Sequence, residues 1–369
     1  MEKQTQQRII FLDILRIFAF LSVLIGHKFY EHLSSIMGDH STHITLREII
    51  KRIMPFYSGG GTGVVVFFLV SGYIITQVLM KESTSSFMIK RIFRIYPLYV
   101  FAILLETTLN YMVDGIPIPG MSTLIPRLTL TGDFFGTPYA LADVEWTLRI
   151  EILFYVFMVF LKICAWKQNI LWVFPIIYFL ATVFLQAFGP FTTAPALATG
   201  YITLYMPFLF IGSIFFLLEK KLANSSLGIL CILYIAVSYL ILIPKINPQF
   251  SHSHFMITAC FLFTLAWMIR NKLAPSLPVI FLSNLTYAVY LFHNWLWDYI
   301  ELLLKYLHAD NAYILVEITA LLFLFCYLAH ITVERAGIKM GSYIDKKYKS
   351  WRKSASSQSL TNTPNENLI

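Results

Sequence analysis

Residues 11–27 read FLDILRIFAFLSVLIGH, an apolar run in which Asp13, Arg16 and His27 are the ionisable side chains. A helix crossing a hydrocarbon core of ~30 Å needs about 20 mostly apolar residues. The stretch from Arg8 to Tyr30 meets that length. It is too long for the apolar part of a signal peptide, is charged internally and is not followed by a small-residue cleavage site, so it reads as a retained membrane span. At ~100° per residue, the steps from Arg16 to His27 end only ~20° from where they began, and the rise separates the two by roughly 16 Å. Both therefore share one helix face. Asp13 and Arg16, at i and i+3, are spaced to pair. Ionisable groups inside a span are costly and face a bundle interior or a wet cavity, which makes these three functional candidates.

The same reading extends along the chain. Further apolar stretches fall at 62–80, 95–113, 146–164, 169–188, 200–218, 226–244, 253–270, 278–300 and 312–334. The fold class expected is all-α: a polytopic integral membrane helical bundle of about ten transmembrane helices. Composition agrees, with 57% hydrophobic and 13% charged residues among 369 and a mean hydropathy of +0.68. The net charge of +8 does not point to nucleic acid, because the Lys and Arg lie in short connections and a basic tail and form no continuous stripe. They mark topology instead. Lys81, Lys90, Arg91 and Arg94 in one connection and the cluster from Arg335 onward put both termini on the cytoplasmic side. The division expected is a membrane domain over 1–335 and a basic, polar, disordered cytoplasmic tail over 336–369. Two outer connections, 31–61 and 114–145, are long enough to suggest function, and Leu124–Phe135 is apolar enough to lie at the interface. The four cysteines, Cys164, Cys231, Cys260 and Cys326, are far apart and read as packing residues.

A neutral histidine can take a proton from an alcohol and so serve as a general base. His27 is the candidate, with the alternative that it is an interfacial histidine beside Lys28. The fourth stretch opens WTLRIEILFY, with Trp146 at the interface and Glu151 about 7.5 Å further in. Glu151 would lie near the depth of His27, where a carboxylate can hold an imidazole's tautomer. Pairing with a base such as Arg149 is the competing reading. His293, in SNLTYAVYLFHNW, either lines the same cavity or belongs to an interfacial belt with Trp295 and Trp297. In KRIFRIYPLY, Lys90, Arg91 and Arg94 are spaced to clamp phosphates, or else serve as positive-inside anchors. The second stretch, GGGTGVVVFFLVSGYII, places Ser71 and Gly72 mid-membrane, where small residues permit close helix approach or access to a narrow ligand. No phosphate-binding Gly-rich loop, GxSxG elbow or metal-ligand cluster occurs.

Taken in order, Asp13, Leu15, Arg16, Ala19 and His27, then GVxxFFxxSG at Gly63–Gly72, RxxRIxP at Arg91–Pro97, WTLxxExxFY at Trp146–Tyr155 and YxxYLFH at Tyr287–His293 resemble the acyltransferase 3 family of membrane O-acyltransferases. The resemblance covers residue 10 to about 335. It implies transfer of a short acyl group, most often acetyl, from cytoplasmic acyl-CoA as co-substrate, with no permanently bound cofactor and no metal. The acceptor implied is a hydroxyl of a surface polysaccharide or its lipid-linked precursor, such as lipopolysaccharide, and the location the bacterial inner membrane. It further implies His27 as the essential histidine, acting as general base or transient acyl carrier, with Arg16 and Glu151 supporting it. Arg91 and Arg94, with Ser71 and Gly72, would engage the donor; Asp13, Trp146, Tyr155 and His293 would support the site or the acceptor. Val65 stands where the family commonly has an acidic or polar residue, and Thr147 where it usually has Ser. With about 35 residues after the tenth stretch, a stand-alone form is expected.

Two other classes compete: a transporter or exporter of glycan intermediates, and a non-catalytic partner in a polysaccharide assembly complex. A transporter predicts inverted repeats and broken helices near the midplane, and the two halves show no convincing repeat. A non-catalytic partner would not require Arg16 and His27 on one face.

Overall fold

The computed structural model describes residues 8–164, 171–192, 199–250, 254–307 and 313–361. It is all-helical, with 85% helix and no strand among the described residues. Helix α1 (Ile10–Leu24) runs through a π-turn, Ile25–Phe29, into α2 (Tyr30–Gly38), making one rod of 29 residues. After it come α3 (Ile44–Tyr57), α4 (Gly61–Lys81), α5 (Thr84–Asp114), α6 (Met121–Leu128) and α7 (Glu145–Cys164). The second half holds α8 (Phe174–Ala187), α9 (Tyr201–Glu219), α10 (Ser225–Ile246), α11 (Phe255–Met268), α12 (Leu277–Phe292) and α13 (Trp295–Tyr306). Helix α14 (Ile314–Ala329) continues through a second π-turn, His330–Glu334, into α15 (Arg335–Thr361).

Six rods, 10–38, 61–81, 84–114, 201–219, 225–246 and 314–352, are long and apolar enough to cross a membrane, and α8, α11 and α12 are shorter apolar helices. The chain is thus an integral membrane protein by the character of its helices. The stretch expected as a single span at 278–300 is two helices, broken at His293–Asn294. The carbonyls freed there are taken by side chains: His293 Nδ1 meets the Tyr290 carbonyl at 2.6 Å, and Trp295 Nε1 donates to the Leu291 carbonyl at 3.0 Å. Such local partners are what allow a helix to break in an apolar setting.

Much of the connection 31–61 is helical, in α2 and α3. One further expectation needs correction. The segment from 336, expected to be disordered, is helix as far as Thr361. It packs on α5, because Gly337 and Gly341 let its backbone close on Phe93 and Pro97: a Cβ at Gly337 would lie 2.6 Å from Pro97 Cγ. Residues 362–369 of the expected tail lie outside the described residues.

The centre of the bundle is α4 against α9. A Cβ on Gly72 would sit 1.9 Å from the Leu209 carbonyl oxygen, and one on Gly212 would sit 1.9 Å from that of Leu69. Only glycine permits backbones this close, the small-residue mode of helix packing in membranes. Around this pair, α1 and α11 pack on α4, and α12 packs on α1. Exposed apolar side chains such as Phe184 on α8, Leu230 on α10 and Val316 on α14 face outward, as a lipid-contacting surface requires.

The charges in the first part of α7 are satisfied by protein. Arg149 is ion-paired with Asp133 at 2.5 Å and with Glu145, and its guanidinium lies over the Tyr139 ring at 4.7 Å. Tyr139 donates to Asp133 at 2.8 Å, Tyr201 also donates to Asp133, and Tyr99 donates to Glu145 at 3.0 Å. This buried knot ties the connection 115–144 to α5, α7 and α9. Glu106 adds a second tie, accepting the Leu141 N–H at 2.7 Å.

Candidate active site

Three cavities meet at Arg16. The widest, about 300 Å³, opens beside Arg8 and is walled by Asp13, Gln77, Arg94, Asn284 and Glu334. A deeper one of about 90 Å³ is lined by Arg16, Ser71, Arg91, Arg94, Glu151 and Tyr155. A narrow one of about 30 Å³ runs from Arg16 past Ala19 and Val23 to Gly63, Phe67 and Tyr290. All three include Arg16, so the α1 face predicted from its periodicity is the face that lines the interior.

The wall carboxylates Asp13 and Glu151 are each held in a defined way. Asp13 pairs with Arg8 at 3.2 Å and with Arg16 at 3.9 Å, and accepts the Ser283 hydroxyl at 2.5 Å. Glu151 Oε1 accepts from Ser71 at 2.8 Å and from Tyr155 at 2.5 Å, while Tyr155 rests edge-on against Phe87. The deep cavity thus holds three guanidinium groups against one carboxylate. An excess of fixed positive charge away from water attracts an anion strongly.

At the other end of the passage stand two histidines. His27 lies on the π-turn, which Gly26 makes possible by packing against the backbone of Tyr57 and Gly60. π-turns concentrate at functional sites because the extra residue re-aims a side chain. His27 is exposed, and His293 is 1% exposed; their rings meet edge to face with centroids 5.3 Å apart. His293 Nδ1 is turned to the Tyr290 carbonyl, and its Nε2 is buried with no hydrogen-bond partner among the described residues. A neutral imidazole bonded in this way carries its proton on Nδ1 and leaves Nε2 as an acceptor. Beside it Tyr290 stacks on Phe67 at 5.8 Å and meets the Thr147 hydroxyl at 2.7 Å. Lys28 pairs with Asp298 of α13 at 2.6 Å, holding the π-turn to the far side of the α12–α13 break.

The predicted residues therefore divide into two groups. Arg16, Asp13, Ser71, Arg91, Arg94, Glu151 and Tyr155 line the Arg16 cavities, and His27 with His293 stands beyond Tyr290. Glu151 does not pair with His27, as its depth suggested, nor with Arg149: its helix turns it to Ser71 and Tyr155. Gly72 faces α9 and not a cavity. Trp146 sits in an aromatic cluster with Tyr201 at 5.5 Å, Tyr205 at 5.2 Å and Phe68 at 5.9 Å.

Several wall residues were not singled out from the sequence: Arg8, Gln77, Asn284, His330 and Glu334. His330 Nδ1 bonds Glu334 at 2.8 Å, and Arg335 Nε donates to His330 Nε2 at 3.3 Å. An ionisable pair at i and i+4 near the end of an apolar stretch was the available signal. The described residues contain no group of His, Cys, Asp and Glu able to hold a metal ion.

An all-helical membrane bundle with a basic interior cavity and paired histidines is the class this geometry defines. Residues 9–331 match the family model described as "Acyltransferase domain", and the chain belongs to that family, acyltransferase 3. It is 28% identical over 164 residues to nodulation protein 10 of Rhizobium leguminosarum bv. viciae, a match covering 39% of this chain and 41% of that protein. It is 30% identical over 103 residues to acyltransferase MdmB of Streptomyces mycarofaciens, covering 26% of this chain and 27% of that one. The matched segments thus span less than half of either curated relative. No solved structure matches.

Proposed function

We propose that this membrane acyltransferase moves a short acyl group, acetyl by first expectation, from acyl-CoA to a hydroxyl of a cell-surface polysaccharide or its lipid-linked precursor. The observation that carries this reading is the run of cavities that meet at Arg16, basic at the Arg8 and Arg94 end and reaching Tyr290 beside the two histidines. A donor with an anionic end and a thin acyl arm suits such a run, and an acceptor hydroxyl suits the exposed imidazole at its far end. In this reading about ten helices cross a bacterial inner membrane with both termini cytoplasmic. The Arg8 end then faces the cytoplasm, where acyl-CoA is, and the His27 end faces outward.

The chemistry follows from the positions. His27, as a neutral imidazole, takes the hydroxyl proton while the oxygen attacks the thioester carbonyl carbon. The C–S bond breaks, the thiolate takes the proton from the imidazolium, and an ester and free CoA result. Arg16, at the junction of the cavities, steadies the arm and the developing negative charge. Arg91 and Arg94 hold phosphate oxygens or carbonyls of the donor, and Ser71 and Tyr155 fix Glu151 as their counter-charge.

The test is His27→Ala. Release of CoA thiol in the presence of the glycan acceptor should cease while the protein inserts and accumulates at its normal level. Wild-type activity in that variant overturns the base. Mass spectrometry of surface glycans from cells with and without the gene would show the acyl mass and so name donor and acceptor.

A further inference from the structure

A fourth cavity, about 820 Å³, adjoins the entrance cavity and shares Arg8, Ile9 and Gln77 with it. Its volume lies within the ~300–1,000 Å³ typical of small-molecule sites. Four cations line it, Arg8, Lys81, Lys220 and Arg270, against the one carboxylate Glu219. These groups are arranged, not scattered. Glu219 accepts from Tyr73 at 2.8 Å and Trp267 at 2.9 Å, and pairs with Arg270 at 3.1 Å and Lys220 at 2.9 Å. Arg270 also lies over the Trp267 ring at 4.3 Å and donates to the Trp267 carbonyl at 2.7 Å. Its guanidinium is thereby fixed in orientation with further N–H groups left for a ligand, a preorganised anion receptor. Tyr73 and Phe216, packed edge to face at 5.3 Å, supply an apolar wall.

The sequence of volumes has a shape of its own: about 820 Å³, then about 300 Å³, then about 90 Å³ and 30 Å³. This taper fits a ligand with a bulky polyanionic head and a long thin arm. Resting on the reading of acyl-CoA as donor, we propose that the 820 Å³ cavity seats the donor's head, an adenosine carrying a 3′-phosphate and a diphosphate, on Arg270, Lys81 and Lys220. The pantetheine arm passes Arg8 and Gln77 into the cavities at Arg16. The head is thus held between α4, α9 and the α11–α12 connection, by residues outside the motif-bearing segments that surround Arg16.

The test measures binding of CoA and of 3′-dephospho-CoA by calorimetry to the full chain in phosphatidylcholine nanodiscs. Wild type should prefer CoA, and Lys81→Gln with Arg270→Gln should bind CoA about tenfold or more weakly, the size of a lost charge-assisted hydrogen bond. The variant should also lose the preference for CoA over its dephospho form, a signature that general misfolding does not give. Lys81→Gln alone, at an exposed position, should reduce that preference while unfolding at the wild-type temperature. Wild-type affinity and preference in the double variant overturn this seat and leave the donor reading standing, as does equal binding of the two ligands by wild type. Failure of wild type to bind either ligand overturns the donor reading, and the seat with it.

Discussion

His27 and His293, one on the π-turn after α1 and the other at the break between α12 and α13, meet edge to face with ring centroids 5.3 Å apart. Both sit where a helix departs from regular geometry. A regular α-helix at either point would aim its imidazole elsewhere, so the pair depends on two local irregularities arising independently in the chain.

The pair predicts a contribution of His293 beyond filling space. His293→Phe keeps an aromatic ring against His27 and Tyr290 but removes the acceptor at Nε2 and the bond to the Tyr290 carbonyl. Turnover should fall about a hundredfold, the lower end of the range for a group that assists proton transfer, with little change in the donor KM. Unchanged turnover in steady-state assays would reduce His293 to packing.

Arg91→Ala with Arg94→Ala should raise the KM for acyl-CoA by tenfold or more, since two charge-assisted contacts are lost from the deep cavity. The same cluster is a topology signal. Cysteine labelling of residues in 31–61 should show the wild-type side accessible. An inverted pattern would mean that the arginines act in insertion and not on the donor.

Gly72→Ala separates packing from ligand access. The new Cβ would meet the Leu209 carbonyl oxygen at 1.9 Å, and backbone cannot swing aside as a side chain can. Overpacking of this kind costs about 1–3 kcal/mol, so the variant should unfold at a clearly lower temperature in detergent. Gly212→Ala should match it, because the two contacts are reciprocal. A variant of normal stability with impaired donor binding would instead return Gly72 to the ligand path.

Arg149→Ala leaves Asp133 and Glu145 buried without their cation. Removing one partner of a buried ion pair costs about 3–5 kcal/mol. The connection 115–144 should loosen first, seen as protease cleavage within it before cleavage elsewhere. Protection equal to wild type would show that Tyr139, Tyr201 and Tyr99 suffice to hold the knot.

What the sequence made legible was which charged residues the bundle would enclose. Asp13 and Arg16 line the cavities, while His27, expected on the same face as Arg16, lies exposed on the π-turn beyond them. The charges near Arg91 and in WTLRIEILFY stood out because ionisable groups are costly in lipid. Rotation toward a particular neighbour was not legible. Glu151 was expected near the depth of His27, yet it lies in the cavity with Arg91 and Arg94, bonded to Ser71 and Tyr155 and away from the histidines, since partner choice is set by how α4 and α7 pack and not by the pattern of α7 alone. Gly72 posed the same ambiguity, a small residue serving either helix contact or ligand, and the α9 backbone decided it. The break at His293 was hidden because the apolar run continues through it, with Trp295 and the imidazole itself replacing the lost backbone partners. The helix after Arg335 was missed for the opposite reason: its composition is polar, and two glycines spaced to fit Phe93 and Pro97 order it against α5.

The two glycine contacts between α4 and α9 also fix which parts of the molecule are free to move. With each backbone pressed on the other's carbonyls, neither helix slides or rolls without a clash, so the pair forms a stator. The 30 Å³ passage beyond Arg16 has α4 as one wall, through Gly63 and Phe67, and α1 with α12 as the other. Any widening that lets an acyl group through is therefore asymmetric. The α1 wall is pinned to α4 in the same way, since a Cβ on Gly63 would lie 2.4 Å from the Ala19 carbonyl oxygen, which leaves α12 as the wall with no such glycine contact to the pair among the described residues.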